Sequence, residues 1–175
     1  MKFTLKKTLK ATMLITTAML GLSSTALAST FDDAVKLYEQ GNYQEAARIV
    51  KDYAERGYAT AQYDLGLMYE MGQGVAQDYR QAAKWYQKAA EQGYALAQFN
   101  LGGMYYNGRG VAQDYRQAAK WWQKAAEQGN AQAQGFLGVL YYNGQGVKRN
   151  INTAMKWTEK ACNNGYQVAC DRLRN

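Results

Sequence analysis

The sequence predicts an all-α protein, a solenoid of stacked helical hairpins. Residues 74–85 read GVAQDYRQAAKW, and residues 110–121 repeat the same twelve letters. Aligned on this match, units of 36 residues occupy 59–94, 95–130 and 131–166, and the first two are identical at 27 positions. A fixed period in the thirties is typical of stacked helical hairpins, in which no unit buries its apolar face alone. No alternating apolar run bounded by hairpin turns indicates a strand.

Residues 1–28 are predicted to be a signal peptide. Four lysines and no acid within the first ten residues precede an uncharged apolar run from Ala11 to Leu22, and Ala26 to Ala28 has the small-x-small pattern of a cleavage site. The apolar run is about half of the roughly 20 residues that span a bilayer, and no cysteine follows closely enough for lipidation. We expect cleavage after Ala28, no stable membrane insertion afterwards, and a periplasmic or secreted protein.

The charge of the chain argues against a nucleic-acid partner. The leader holds four of the 21 basic residues and none of the 14 acidic ones, so the formal charge falls from +7 to +3 after cleavage. Nucleic-acid binders usually carry dense Lys and Arg with base-stacking aromatics on one face. We therefore expect no nucleic-acid binding, and we expect a monomer.

Residues 29–58 are predicted to form a shorter, divergent N-terminal hairpin. Thr30 and Asp33 are typical of a capping box that begins its first helix, Gly41 and Asn42 of the turn, and the stretch 43–57 of its second helix. Terminal repeats are usually atypical. At the other end, residues 167–175 begin another first helix and are interpreted as a capping helix.

Each 36-residue unit is predicted to contain two helices, which we name helix A and helix B. Gly72 and Gly74 should end helix A of the first unit, since glycine readily adopts left-handed backbone angles. Asp78 should then cap helix B, with Gln81 reaching back to complete a capping box. Asp114 and Gln117 repeat the device in the second unit.

The repeat pattern resembles a known family. The units follow A-x-A-Q-x-x-L-G-x-x-Y-x-x-G-x-G-V-x-x-(D/N)-x-x-x-A-x-x-W, which is similar to the Sel1-like repeat, a relative of the tetratricopeptide repeat. The resemblance covers residues 59–166 fully and residues 31–58 less closely, and it implies a right-handed α/α superhelix. Many relatives have proline after the loop valine, where this chain has Ala76, Ala112 and Lys148, so we expect a less rigid loop.

The sequence offers little for catalysis. It has no histidine, which excludes imidazole metal sites, Ser-His-Asp hydrolysis and Cys-His catalysis. The only serine after residue 28 is Ser29, and no S-x-x-K motif is present. The resemblance implies an alternative, because some cysteine-rich relatives have been described as penicillin binders or β-lactamases; Asp64 or Glu70 would then act as acid or base. We expect no catalytic residue, no cofactor and no metal.

Cys162 and Cys170 are the two cysteines of the chain, eight residues apart. A glycine turn between them should fold the end of one helix against the start of the next. In an oxidising compartment a disulfide is expected, with free thiols or a two-ligand metal site as alternatives. The resemblance to cysteine-rich Sel1-like proteins, which pair cysteines at this spacing, also implies the disulfide.

A partner surface is predicted on helix A. Six of the nine differences between the first two units lie within an arc of about 120° on this helix, and the tetratricopeptide-like arrangement would place that arc on a concave face. Aromatic, amide and carboxylate side chains suit a protein or peptide partner. The predicted residues are Tyr63, Asp64, Leu67, Glu70, Leu96, Phe99, Asn100, Tyr106, Asn107, Phe136, Val139, Tyr142 and Asn143. The alternative is that several, Tyr63 and Phe99 above all, are core residues between hairpins.

A second predicted surface is a basic ridge on helix B. Its equivalent positions carry Lys84, Lys120 and Lys156, then Lys88, Lys124 and Lys160, with Arg80 and Arg116 nearby. Such a ridge could hold an anionic envelope polymer, or it could be a solvated face that Glu91 and Glu127 partly neutralise.

Overall fold

The computed structural model describes residues 24–174, and it describes side chains from Phe31 onward. This part of the chain is helical and contains no strand, which confirms the all-α prediction. Most of the predicted signal peptide lies outside the described residues, so its cleavage stays a prediction. The helices are α1 (Ser24–Glu39), α2 (Tyr43–Glu55), α3 (Ala59–Met71), α4 (Tyr79–Glu91), α5 (Ala95–Asn107), α6 (Tyr115–Glu127), α7 (Ala131–Asn143), α8 (Ile151–Asn163) and α9 (Gln167–Arg174).

The predicted start of the first helix is wrong. Helix α1 already includes Ser24, the first residue that the structure describes, so Thr30 lies inside the helix and not at its start. Alanine and leucine are among the strongest helix formers, and Ala26, Leu27 and Ala28 allow the helix to continue through this stretch. The residues before Thr30 therefore extend the helix beyond the start that the capping-box pattern of Thr30 and Asp33 predicted.

The chain divides into two compact parts, which we call unit 1 and unit 2 and which are not the 36-residue repeats. Unit 1 ends at Trp85 and unit 2 begins at Tyr86. In unit 1, small and apolar side chains of α2 and α3 form the core, including Ala46, Ala54, Leu65 and Met68. In unit 2, helices α6 and α7 form the core with Trp122 and a set of alanines and leucines: Ala118, Ala125, Ala133, Leu137 and Leu140. Alanine at many of these positions lets helix backbones approach closely.

Helix A of each repeat ends at the glycine that was predicted to end it. Gly72, Gly108 and Gly144 adopt left-handed angles, with φ of 68°, 67° and 73°. The amide of each donates to the carbonyl four residues earlier, as in Gly144 to Leu140. The second loop glycine has a different role, which is the same in both units: a Cβ would lie 2.0 Å from the carbonyl oxygen of Tyr43 at Gly74 and 2.2 Å from that of Tyr115 at Gly146. The loop of one repeat thus packs directly on the start of the preceding helix B.

Helix B begins at the predicted cap, but the capping box is only half formed. The Asp78 carboxylate accepts hydrogen bonds from the amides of Arg80 and Gln81 at 2.8 and 3.1 Å. The Asp78 amide donates to the carbonyl of Tyr69 at 3.0 Å instead of to the Gln81 side chain. Asp114 accepts from two amides of its helix and Asn150 from one, and their own amides donate to the carbonyls of Tyr105 and Tyr141. A backbone bond across the loop therefore replaces the second half of the box.

The disulfide prediction is confirmed. Cys162 in α8 is bonded to Cys170 in α9, and their Cα atoms are 4.7 Å apart. The bond joins the last helix B to the helix that follows it. No free cysteine occurs among the described residues.

Candidate functional site

In unit 1 the predicted partner surface is largely covered, which corrects the prediction for two residues. Tyr63 is 3% exposed and Asp64 is 1% exposed, so neither side chain is accessible to a partner. Leu67 and Glu70 on the same helix are half-buried. Residues 61–66 of α3 are all buried, so this half of the helix is enclosed on every side.

Helix α1 packs against part of this surface. Leu67 packs against Val35 of α1, together with Phe31 and Tyr38. Burial raises the pKa of Tyr38, and the nearby Tyr43 and Asp64 raise it further. The Tyr38 hydroxyl donates a short hydrogen bond to the side-chain oxygen of Gln73. The N-terminal hairpin therefore covers Leu67, one of the residues that the sequence pattern had assigned to a partner.

In unit 2, by contrast, three predicted residues meet around one tryptophan. The Trp122 ring stacks on Phe136 with centroids 4.9 Å apart, and Tyr106 lies 5.3 Å away on the same ring. Phe99 is 6.0 Å from Phe136, and Tyr115 is 5.2 Å from Tyr106. Phe99, Tyr106 and Phe136 are half-buried, so they are at once the edge of the core and part of the surface.

The tryptophan at the centre was missed by the sequence analysis. Trp122 is buried, and its indole nitrogen donates to the carbonyl of Phe99 at 3.0 Å. A Cβ on Gly102 would lie 2.4 Å from the indole Cδ1 atom, so glycine is required for the ring to reach α5. The available signal was the change from Tyr86 in the first repeat to Trp122 in the second, the single difference within helix B.

The remaining predicted residues of unit 2 are open to solvent to different degrees. Tyr142 is 58% exposed, and Asn107 and Asn143 are also exposed, while Leu96, Asn100 and Val139 are half-buried. We call the predicted residues of α5 and α7 the helix A face of unit 2: Leu96, Phe99, Asn100, Tyr106, Asn107, Phe136, Val139, Tyr142 and Asn143. Its side chains are aromatic, aliphatic or amide, and none is charged.

A loop side chain fixes the end of each helix A. The Gln113 amide nitrogen donates to the carbonyl of Tyr106 at 2.8 Å and to the hydroxyl of Tyr115 at 3.1 Å. In the next repeat Arg149 takes this place, and its Nε atom donates to the carbonyl of Tyr142 at 3.0 Å. These bonds anchor a loop that lacks the proline of many relatives, so the missing ring is partly compensated.

A buried glutamine links neighbouring helices and was also missed. The Gln134 amide nitrogen donates to the carbonyl of Ala126 at 2.9 Å, and its oxygen accepts from Asn164 at 2.8 Å. Gln98 does the same between Ala90 and Gln128. A buried amide without partners would be costly, so these bonds explain why a polar residue recurs in an otherwise alanine-rich seam.

Two lysines of the basic ridge lie over tryptophan rings in unit 2. The Lys124 ammonium lies 4.7 Å from the ring centroid of Trp121, and the Lys160 ammonium lies 4.6 Å from that of Trp157. All six ridge lysines are exposed. Cation–π contacts of this kind position the lysine stems, and the use of the ridge by a polymer stays a prediction.

In the part of the chain that the structure describes, no three His, Cys, Asp or Glu side chains converge on a point where a metal ion could bind. Of the two carboxylates proposed for the enzyme alternative, Asp64 is sealed within unit 1. Across the same residues, none of the helices is both long and apolar enough to cross a membrane.

Comparison with known proteins gives consistent matches. The family model described as Sel1 repeat matches residues 59–94, 95–130 and 131–166. A comparison with curated protein sequences finds no match.

Three similar solved structures are informative. A Sel1 repeat protein from Oxalobacter formigenes is 38% identical with a TM-score of 0.73, covering 79% of this chain and 56% of that one. A protective antigen of uropathogenic Escherichia coli with an SLR fold is 38% identical with a TM-score of 0.75, covering 85% of this chain and 35% of that one. Cysteine-rich protein B of Helicobacter pylori shares the fold. It is 24% identical with a TM-score of 0.53, covering 86% of this chain and 97% of that one.

This chain thus spans about half the length of the first structure and about a third of the second. The family model nevertheless covers more than half of the chain, in three consecutive matches. Members of that family generally act as non-catalytic adaptors in protein interactions. The chain belongs to the Sel1 repeat family.

Proposed function

We propose that this protein is a non-catalytic adaptor that binds an extended peptide or protein segment on the helix A face of unit 2. The observation that carries the proposal is the aromatic group around Trp122, in which Phe99, Tyr106 and Phe136 are held in place yet remain partly exposed. The general role of Sel1 repeats in protein interactions supports it.

The chemistry of the surface fits this role. Tyrosine and tryptophan dominate the residues that contribute most to protein interfaces, because they offer large rigid contact areas. Asn100, Asn107 and Asn143 add donors and acceptors that could fix the register of a bound segment. Since the aromatic rings are already packed against each other, little side-chain freedom would be lost on binding.

The cellular location is part of the proposal. We place the protein in the periplasm or outside the cell, where thiols oxidise and the disulfide between Cys162 and Cys170 would persist. The predicted leader at residues 1–28 agrees with this placement.

A quantitative pulldown from a cell-envelope extract tests the proposal. The baits are the wild type, a Tyr142→Ala/Asn143→Ala double variant, and Met155→Ala as a matched control. Met155 is 51% exposed and lies on helix B, away from the proposed surface in sequence and element. Circular dichroism should first show that all three baits have the same helix content.

We expect at least one envelope protein to be recovered several-fold less with the double variant and equally well with Met155→Ala. Equal recovery of every protein with all three baits would contradict the proposal. A loss shared by the two variants would indicate nonspecific adhesion to exposed apolar groups, and would also count against it.

A further inference from the structure

We propose that Arg149, held beside Tyr142, makes the helix A face of unit 2 selective for peptide segments that carry an Asp or Glu side chain. The inference rests on the proposed function, since it names the chemistry of the partner for that same surface. It adds a residue that lies outside the predicted set.

Arg149 is positioned by two contacts with one residue. Its Nε atom donates to the backbone carbonyl of Tyr142 at 3.0 Å, and its guanidinium carbon lies 5.9 Å from the centroid of the Tyr142 ring. Both side chains are exposed. The arginine is therefore oriented before any partner arrives, next to the most exposed aromatic ring of the surface.

The backbone contact uses one of several donors. A guanidinium has five N–H groups, and its planar fork matches a carboxylate in a two-bond arrangement. The bond to Tyr142 involves the Nε hydrogen, so the two terminal amino groups retain their donors. Among the described residues, the ion pairs occur elsewhere on the chain and none involves Arg149.

The equivalent position in the preceding repeat makes the charge of Arg149 significant. Gln113 forms the same bond to the carbonyl of Tyr106, and it also bonds the hydroxyl of Tyr115. The third repeat has Ile151 in place of that tyrosine. An arginine is thus not needed to hold the loop, since a neutral glutamine does so, and what it adds is a cation at the edge of the surface.

The charges of the neighbouring helix A and loop stretches also favour an acidic partner. The stretches 95–113 and 131–150, which form helix A and its loop in repeats 2 and 3, contain Arg109, Lys148 and Arg149 but no carboxylate. The next acid along the chain, Asp114, is engaged by the amides of α6. A surface with uncharged contact residues and a cationic edge complements an acidic segment, and it would repel a basic one.

The test is selection from a phage-displayed library of random dodecapeptides. The targets are wild-type protein, Arg149→Gln, Lys156→Gln and Tyr142→Ala/Asn143→Ala. Arg149→Gln reproduces the residue of repeat 2, which keeps the bond to the carbonyl. Lys156→Gln removes another exposed cation, on α8, and serves as the control for overall charge.

We expect Asp and Glu to be enriched in peptides selected by the wild type and by Lys156→Gln, and to fall to the library level with Arg149→Gln. A selected acidic peptide should bind Arg149→Gln about two- to fivefold more weakly, as for an exposed ion pair. Its Asn or Gln analogue should bind the wild type and Arg149→Gln equally.

Two results would overturn the inference in different ways. If Tyr142→Ala/Asn143→Ala loses the selected peptides while Arg149→Gln keeps the same acidic enrichment, the surface binds peptides but Arg149 does not select them. If the double variant selects the same peptides as the wild type, the proposed function fails together with the inference. Equal losses for Arg149→Gln and Lys156→Gln would indicate a general charge effect, such as attraction of any polyanion, and would also overturn it.

Discussion

The carbonyl oxygen of Phe99 accepts a 3.0 Å hydrogen bond from the indole nitrogen of Trp122. The bond joins helix A to helix B within one repeat, and it satisfies the one polar atom of a buried ring. It also places the ring between Phe136 and Tyr106. The surface that we propose for a partner therefore depends on a contact in the core.

Gly102→Ala should disrupt this contact. The new Cβ would lie 2.4 Å from Cδ1 and 2.6 Å from Nε1 of Trp122, so the ring would have to move away from α5. We expect a loss of about 1 to 3 kcal/mol in the free energy of unfolding, as for other overpacked cores, with a change in tryptophan fluorescence.

Gly103→Ala is the matched control for that substitution. A Cβ at this position would meet nothing within 4 Å, and alanine favours a helix over glycine by about 0.5 to 1 kcal/mol. Urea unfolding should show Gly103→Ala to be neutral or more stable. Equal effects of the two substitutions would contradict the role assigned to Gly102.

Gln134→Ala should destabilise unit 2 because it removes one buried and one part-buried hydrogen bond. The carbonyl of Ala126 would keep its bond from the Gly129 amide but lose the one from Gln134, and the exposed Asn164 would lose its acceptor. A hydrogen bond of this kind contributes about 0.5 to 1.5 kcal/mol. Gln132→Ala, an exposed glutamine on the same helix, should change the unfolding midpoint in urea by much less.

Reduction of the disulfide should loosen the C-terminal helix α9. Cys162 and Cys170 close a short loop, and crosslinks over loops of this size contribute about 2 to 3 kcal/mol. Dithiothreitol should lower the melting temperature of the wild type and speed trypsin cleavage within α9. A Cys162→Ala/Cys170→Ala variant should melt at the lower temperature and show no response to the reductant.

Stability should fall at alkaline pH partly through Tyr38. Burial raises the pKa of this side chain in the folded protein, whereas an unfolded tyrosine titrates near 10. Below pH 10 both states are protonated and the contribution is intact; above it the unfolded state loses its proton first, so unfolding becomes easier. The decline from pH 9.5 to 11 should be smaller in Tyr38→Phe than in the wild type, and parallel curves would refute the assignment.

The helix termini could be predicted from sequence because they depend on local chemistry. Gly72 and Asp78 act on backbone groups within a few residues, and the structure has both where the pattern placed them. The absence of the reciprocal bond from the Asp78 amide to Gln81 could not be foreseen, because the competing acceptor, the carbonyl of Tyr69, approaches only after the loop has folded.

The exposed face of helix A could be predicted in one unit and not in the other. Periodicity identifies which side chains share a face, but it does not state how many neighbours a helix has. In α3 the residues from Ala61 to Gly66 are all buried, and α1 packs on the next residue, Leu67. In α5 the equivalent positions Phe99 and Asn100 stay partly open.

The buried glutamine imposes a rule on how such a chain can lengthen during evolution. Gln134 satisfies a carbonyl eight residues before it and a side chain thirty residues after it. Duplication of a complete 36-residue segment keeps both spacings across every junction, because the neighbouring segments supply the equivalent carbonyl and side chain. An insertion of half a segment would strand an amide in the interior, which would restrict gene duplication to in-frame steps of one full period.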